Sequence, residues 1–378
     1  LKNVFKCKNI NINKIKSMLH QESKEMENNL SKNATSIYAS KFGGRGLTGL
    51  ANLGNTCFMN SVLQCLSHTY ELNEFLDEGT WAKKHKRNVH DSLVLIEWDN
   101  LRKMMWSENC TISPGGFVGA LQKVARVKGR VLFTGWIQND LTEFLQFLTE
   151  CFHNSIARGV EMRISGTAIS DMDKLGIKCY TMMKKMYEQE YSEFLKMFFG
   201  IHISQIKSLE SNYENITPEP FFNLMLPIEG QTTLEGCVDL YTNKERMEGD
   251  EKIEVGENVP KETAEKNILF WSLADILIIT LKRFGNNMRK DQRFIDFPLE
   301  DFNLSKHVVG YDKDTYKYDL YGICNHSGNA MGGHYTSYVK NANNKWYSFN
   351  DTQIKEINDL ASLKSAKAYC FFYRKQKK

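Results

Sequence analysis

Apolar residues recur at three- and four-residue spacing from about residue 50 to 200. VLQCLSHTYELNEFL, SLVLIEWDNLRKMMW and DLTEFLQFLTECF each place one apolar stripe along a helix. LGIKCYTMMKKMYEQEYSEFLKMFF continues the pattern and predicts a further helix ending at Gly200. Its methionine and aromatic stripe reads as packing surface. After Gly200 the period shortens. FFNLMLPI, ILIITLKRF, YDLYGICNH, HYTSYVKN, KWYSFN and AYCFFYRK are short, rich in β-branched and aromatic residues, and separated by turn chemistry. The charged stretch from Asn243 to Asn267 reads as a loop or exposed extension. Helices first and strands second predict an α+β fold.

Residues 1–45 read as an extension, mobile or a partner-binding helix. Ile12, Ile15, Met18 and Leu19 would share one face if residues 12–30 were helical, but the mobile tail is the preferred reading, and the Gly-rich KFGGRG follows as a flexible joint. One main domain is then expected over residues 46–374, with helices over about 46–200 and strands over about 201–374.

Composition narrows the class. Hydrophobic residues make up 42% of the 378-residue chain and charged residues 25%, as in ordinary globular proteins. A net charge of +4 gives no concentrated basic face and no reason to expect nucleic acid as a partner. Nine cysteines without a Cys-x-x-Cys pair predict reduced thiols, not a disulfide framework. No apolar run reaches the roughly 18–20 residues needed to span a bilayer, and the polar start lacks a signal peptide's apolar segment. An intracellular protein, cytoplasmic or nuclear and not membrane-bound, is the expectation.

Cys57 stands apart from the other cysteines. It follows the Gly- and Asn-rich GLTGLANLGNT and precedes Phe58, Val62, Leu63 and Leu66, which form a helical apolar face. With Asn55 and Thr56 as N-cap candidates, the thiol sits at a helix start, where unpaired N–H groups and the helix dipole favour a thiolate. The loop before it brings backbone N–H groups and an Asn amide toward one point, as an oxyanion hole requires.

His334 lies in GICNHSGNAMGGHYTSYVKNANNKWYSFND. HYTSYVKN and KWYSFN alternate as two strands around a polar turn. Folding that hairpin at about residue 342 places His334 across from Asn350 or Asp351, with opposed Cα atoms about 4.5–5.5 Å apart. An amide or carboxylate beside an imidazole fixes the tautomer of a general base. Cysteine, histidine and Asn/Asp then form a nucleophile–base–orienter set.

GLANLGNTCFMNSVLQ resembles the cysteine box of the ubiquitin-specific proteases, and YDLYGICNHSGNAMGGHYTSYVKN with WYSFND resembles their histidine box. QNDLTEFLQFL is similar to a helix motif of that family, and FFNLMLPI, LIITLKRF and FPLEDFNLS match the order of its strands. The resemblance implies a papain-like fold with a helical thumb, a β-rich palm and β fingers. It also implies cleavage after the C-terminal Gly of ubiquitin through a Cys57 thioester, with the ubiquitin tail threading between thumb and palm. Asn52 would be the oxyanion donor and Asn350 the orienting residue, assisted by Asp351. Asp140 would bind the basic residue of the ubiquitin tail, and Tyr335 would line the tail channel. Ubiquitin and ubiquitinated proteins are the implied partners of a monomer.

The chain departs from the family at the fingertips. Many members hold them with zinc on two Cys-x-x-Cys pairs, which would fall near Ser204–Ser211 and around residues 255–258. Neither pair is present, and only His202 and Cys237 stand nearby, so no metal or other cofactor is expected. Two other readings compete: a protease for a ubiquitin-like modifier, and a non-catalytic ubiquitin-binding module.

Overall fold

In α1 (Cys57–Ser67) every residue is buried, polar ones included. The helix is therefore the axis around which the other layers pack. The computed structural model describes residues 37–86, 89–257, 259–285, 289–329 and 332–377. The tail or partner helix considered for residues 12–30 lies outside them.

The thumb adds α2 (Tyr70–Asp77), α3 (Thr80–Lys84), α4 (Asp91–Ser107), α5 (Gly115–Val127) and α6 (Leu141–Ile156), with β1 (Gly49–Leu50) beside β2 (Thr111–Ile112). The long predicted helix is two helices, α7 (Asp171–Gln189) and α8 (Glu193–Phe198). Between them Tyr191 exchanges backbone hydrogen bonds with Arg158 at 2.7 and 2.9 Å, which pulls the chain out of helical register. Gly200 opens a strand instead of closing a helix. A Cβ there would stand 2.6 Å from the Phe221 ring and 2.8 Å from the Ser272 carbonyl.

The fingers are a four-stranded sheet: β3 (Gly200–Ser208), β4 (Glu214–Phe221), β6 (Glu245–Met247) and β7 (Ala264–Ser272), in the order β4-β3-β7-β6. The stretch 243–267 is therefore not all loop; it contains β6 and the start of β7. The palm holds β5 (Asn223–Leu226), α9 (Leu234–Thr242), β8 (Ile276–Leu281), β9 (Phe302–Asn303), β10 (Lys317–Asn329), β11 (Gly332–Lys340), β12 (Trp346–Asn350), β13 (Gln353–Ile357) and β14 (Ala368–Lys375). Its eight-stranded sheet runs β13-β12-β11-β10-β14-β8-β5, with β9 against β10. One face packs on α1 and the thumb; the other buries a second cluster around Phe297, Phe371 and Tyr373.

Contacts with the domain reach back before residue 46. Phe42 is buried, stacks on Tyr70 at 4.7 Å and meets Trp106 edge-on. The Asn341 side chain accepts from Gly44 N at 2.9 Å and donates to the Arg45 carbonyl at 2.8 Å. Residues 37–45 are thus docked against the turn between β11 and β12, and the joint is not free.

At the fingertip, Ser208 and Ser211 stand at the spacing of a Cys-x-x-Cys pair, and both hydroxyls donate to Glu262, Ser211 at 2.6 Å. Thr263 N donates to Glu210 Oε1 at 2.8 Å. Two hydroxyls and a carboxylate are not the thiolate set of a structural zinc site, and among the described residues no group of three His, Cys, Asp or Glu could hold a metal. Asn258, at the second expected position, lies outside the described residues. His202 stacks on Phe221 in the fingers, whereas Cys237 is buried in the palm. Strand pairing and packing are therefore supplemented by a side-chain clasp. Glu262→Ala should cost about 1–2 kcal/mol in urea unfolding, because buried Ser208 loses its acceptor. A chelator should leave the melting temperature unchanged, and elemental analysis finding one zinc per chain would overturn the zinc-free fingertip.

Candidate active site

Cys57 is the first residue of α1, as the apolar spacing after it requires. Gly54 and Asn55 both have positive φ, 106° and 56°, a turn that glycine and asparagine tolerate best. Thr56 is the N-cap residue, but its hydroxyl serves the loop: it accepts from Leu53 N at 2.9 Å and makes no capping bond. Main-chain N–H groups of Tyr335, Phe58 and Cys57 lower the thiol pKa, as a helix start should. Burial works the other way and is larger, with the Asp351 carboxylate adding to it, so the thiol is raised above its ordinary value. The helix start thus does not by itself make Cys57 a thiolate.

His334 Nε2 donates to Asn350 Oδ1 at 2.6 Å. That bond puts the ring proton on Nε2 and leaves Nδ1 as the basic nitrogen. The route to this contact differs from the predicted hairpin. Lys340 pairs with Trp346 and Ser337 with Phe349, so the register is centred on residue 343 and the ladder ends three residues short of His334. Asn344 at φ 62° lengthens the turn by its left-handed step. His334 and Asn350 meet through their side chains and not as directly opposed residues. Among the described residues, no hydrogen bond links the Cys57 thiol to His334.

Asp351 does not orient the imidazole. Its carboxylate accepts from Asn52 Nδ2 at 3.0 Å and from Asn60 Nδ2 at 2.8 Å. Asn52 Oδ1 in turn accepts from Gly54 N and Thr56 N, both at 3.1 Å. Asn52 is therefore pinned at both ends. Sequence reasoning missed Asn60, whose signal was its place one turn after Cys57 on the same helix.

Asp140 is neither free nor merely solvated. It is the N-cap of α6, its Oδ1 accepting from Thr142 N at 2.7 Å and from the Thr142 hydroxyl, while Oδ2 accepts from Tyr369 OH at 2.8 Å. Tyr335 is 7% exposed, and its ring lies 4.5 Å from the His326 ring. Strand alternation turns that side chain into the core, so Tyr335 offers the cleft its main chain and not its phenol. Gln138, quoted only as part of a motif, donates to the Gly333 carbonyl at 2.9 Å and accepts from Gly333 N at 2.8 Å.

Comparison with known proteins places this site in context. A family model described as ubiquitin carboxyl-terminal hydrolase matches residues 48–373. Human ubiquitin carboxyl-terminal hydrolase 2 is 33% identical over 343 residues, 87% of this chain and 55% of the human protein. The chicken protein of that name is 33% identical over 340 residues, again 87% of this chain but 93% of the relative. The chain spans about half the length of the mammalian relatives it matches. Among solved structures, the SAGA Ubp8/Sgf11/Sus1/Sgf73 DUB module bound to ubiquitin aldehyde superposes with a TM-score of 0.67 at 26% identity, covering 88% of this chain and 70% of that one.

The raised thiol pKa has a direct consequence. Carbamidomethylation of Cys57 in the free protein, followed by mass spectrometry, should climb about tenfold per pH unit between pH 6 and 8. A plateau below pH 7 would mean that the thiolate already predominates there.

Proposed function

From the chain's membership of the ubiquitin carboxyl-terminal hydrolase family, we propose that it is a cysteine deubiquitinase that cleaves the isopeptide or peptide bond after the terminal Gly of ubiquitin. The observation that carries this reading is the joint placement of the Cys57 helix start, the His334–Asn350 bond and the pinned Asn52 amide. A non-catalytic binding module has no need of all three.

In the proposed reaction, His334 Nδ1 takes the Cys57 proton, and the sulfur attacks the carbonyl carbon of the terminal Gly. Negative charge moves to the carbonyl oxygen, where Asn52 Nδ2 and helix-start N–H groups receive it. The tetrahedral intermediate collapses as His334 protonates the leaving lysine amine. Water, deprotonated by the same imidazole, then hydrolyses the thioester and restores the thiol. Asp140, held by Thr142 and Tyr369, supplies negative charge for the basic residue of the ubiquitin tail. A single chain carries every residue of the proposed site, so a monomer suffices. The eight cysteines among the described residues are free thiols and fit a reducing cytoplasmic or nuclear setting. Among the described residues, no helix is long and apolar enough to cross a membrane.

Cys57→Ala should abolish hydrolysis of a ubiquitin-derived fluorogenic substrate while still binding ubiquitin. Residual turnover near the parent level would sink the assignment. Suicide probes built on ubiquitin and on its relatives decide between ubiquitin and a ubiquitin-like modifier.

The neighbours Asn350 and Asp351 should fail differently. Asp351→Ala frees Asn52 and should lower kcat by about 10²–10³-fold with little change in its pH dependence, as loss of an oxyanion donor does. Asn350→Ala releases the imidazole and should also shift the pH profile of kcat/KM. Identical pH profiles for the two variants would refute the division of labour.

A further inference from the structure

Five large apolar side chains crowd the surface of one thumb loop. Between α5 and α6, Val127, Val131, Leu132, Trp136 and Ile137 are 46% to 75% exposed, and among the described residues no other stretch of eleven exposes more than three. The loop is not loose. Phe133 is buried at its centre and stacks on Phe147 at 5.2 Å. Asn139 Nδ2 donates to the Leu132 and Ile137 carbonyls at 2.9 and 3.1 Å, and Arg126 Nη2 donates to the Thr134 carbonyl at 3.1 Å. The backbone therefore holds these side chains outward, although apolar surface in water is unfavourable. A fixed apolar patch of this kind marks a contact surface.

The patch adjoins the loop before the nucleophile. Asn55 Nδ2 donates to the Trp136 carbonyl at 2.9 Å, and a Cβ on Gly54 would stand 3.9 Å from Trp136 Cε3. It is also within reach of the chain's own N-terminal extension. Thirty-six residues precede Ile37, the first one described. Among them Ile12, Ile15, Met18 and Leu19 would form one apolar side on a helix. That side reads as part of a tail only while nothing is there to receive it. Phe42 packs on Trp106 at the C-terminal end of α4, and Lys128, next to Val127, pairs with Asp91 at the other end at 3.0 Å. The 17 residues of α4 cover about 25 Å. The chain from Leu19 to Ile37 spans roughly 24 Å as a flexible linker, so its reach matches the distance to be crossed.

We propose that residues 12–19 dock their apolar side on the thumb patch of Val127, Val131, Leu132, Trp136 and Ile137, and that the docked segment restrains the free enzyme by covering the approach to Cys57 from the thumb. The tether gives the segment a local concentration on the order of millimolar. A weak apolar contact is then enough to hold it against free partners of similar affinity. Substrate and segment compete for the same side of the cleft mouth, so the restraint is lifted by occupancy and not by any change in the fold. That the restrained reaction is ubiquitin hydrolysis rests on the proposed function; the docking does not.

Trp136 reports on the patch without a label. The other five tryptophans are at most 7% exposed, so acrylamide quenching of the full chain reads Trp136. If about 80% of the free chain is docked, about one molecule in five is competent, and undocking should raise a rate or a quenching constant about fivefold. Ile12→Asp combined with Ile15→Asp should therefore raise both the quenching constant and kcat/KM for a ubiquitin-derived substrate by about that factor, and Trp136→Phe should remove the difference in quenching. Val131→Asp with Leu132→Asp, on the exposed loop, should raise kcat/KM equally, and joining the two pairs should add nothing further. Equal quenching in the parent and the Ile12→Asp, Ile15→Asp variant overturns the docking. Raised quenching with unchanged kcat/KM overturns the restraint. Quenching of the parent that rises on dilution gives the patch to a second copy, and patch variants that lower kcat/KM give it to the substrate; either result overturns the inference. If no ubiquitin substrate is hydrolysed, the functional reading fails, while quenching still decides the docking.

Discussion

The corner after β12 sets the geometry on both sides of the cleft. Asn350 and Asp351 are adjacent, yet Asp351 takes a left-handed φ of 51°, which throws the two side chains in different directions. One holds the imidazole of His334; the other holds Asn52 and Asn60 on the thumb. The Asp351 carbonyl also accepts from Leu50 N at 3.0 Å. A left-handed residue other than glycine costs on the order of 1–2 kcal/mol, and here three hydrogen bonds to the thumb offset it. His334 and Asn52, the proposed base and oxyanion donor, are consequently positioned by one dipeptide, so a displacement of the corner disturbs both.

The nucleophile is located differently, by packing. Because α1 is buried on every side, Cys57 is fixed by the same contacts that hold thumb to palm. Phe58 meets Phe144 of α6 edge-on at 5.6 Å, and Cys65 lies 3.7 Å from Cys324 of β10, sulfur to sulfur. A fully buried aromatic contributes about 1.5–3 kcal/mol, so moving the helix start means breaking the shared core.

These two modes of positioning explain what was legible in the sequence. The helix start at Cys57 was readable because an apolar 3.6 period begins at a polar loop, and one chain segment carries the whole signal. The His334–Asn350 pairing was readable as a hairpin, but its register was not. A five-residue turn with Asn344 left-handed shifts the ladder, and alternation alone does not count turn residues. The role of Asp351 was invisible because its partners, Asn52 and Asn60, lie 299 and 291 residues away. The docking of Phe42 and the Asn341 bridge were hidden for the same reason: residues 37–45 look polar and Gly-rich locally, and only the aromatic pocket of Tyr70 and Trp106 gives them a place. At the fingertip the sequence shows what is missing, the cysteines, but not that Ser208, Ser211 and Glu262 converge instead.

The state of Cys57 follows from competing magnitudes. A charge at a helix terminus gains typically 0.3–1 kcal/mol, which is less than one pKa unit at about 1.4 kcal/mol per unit. Burial of the sulfur and the nearby Asp351 carboxylate exceed that, so the free protein keeps its nucleophile protonated. The same carboxylate that fixes Asn52 therefore also opposes the thiolate. Reactivity has to come from a change that relieves burial or brings a positive charge beside the sulfur. In the proposed reaction, protonation of His334 as it takes the thiol proton does the second, since an imidazolium next to a thiolate stabilises it.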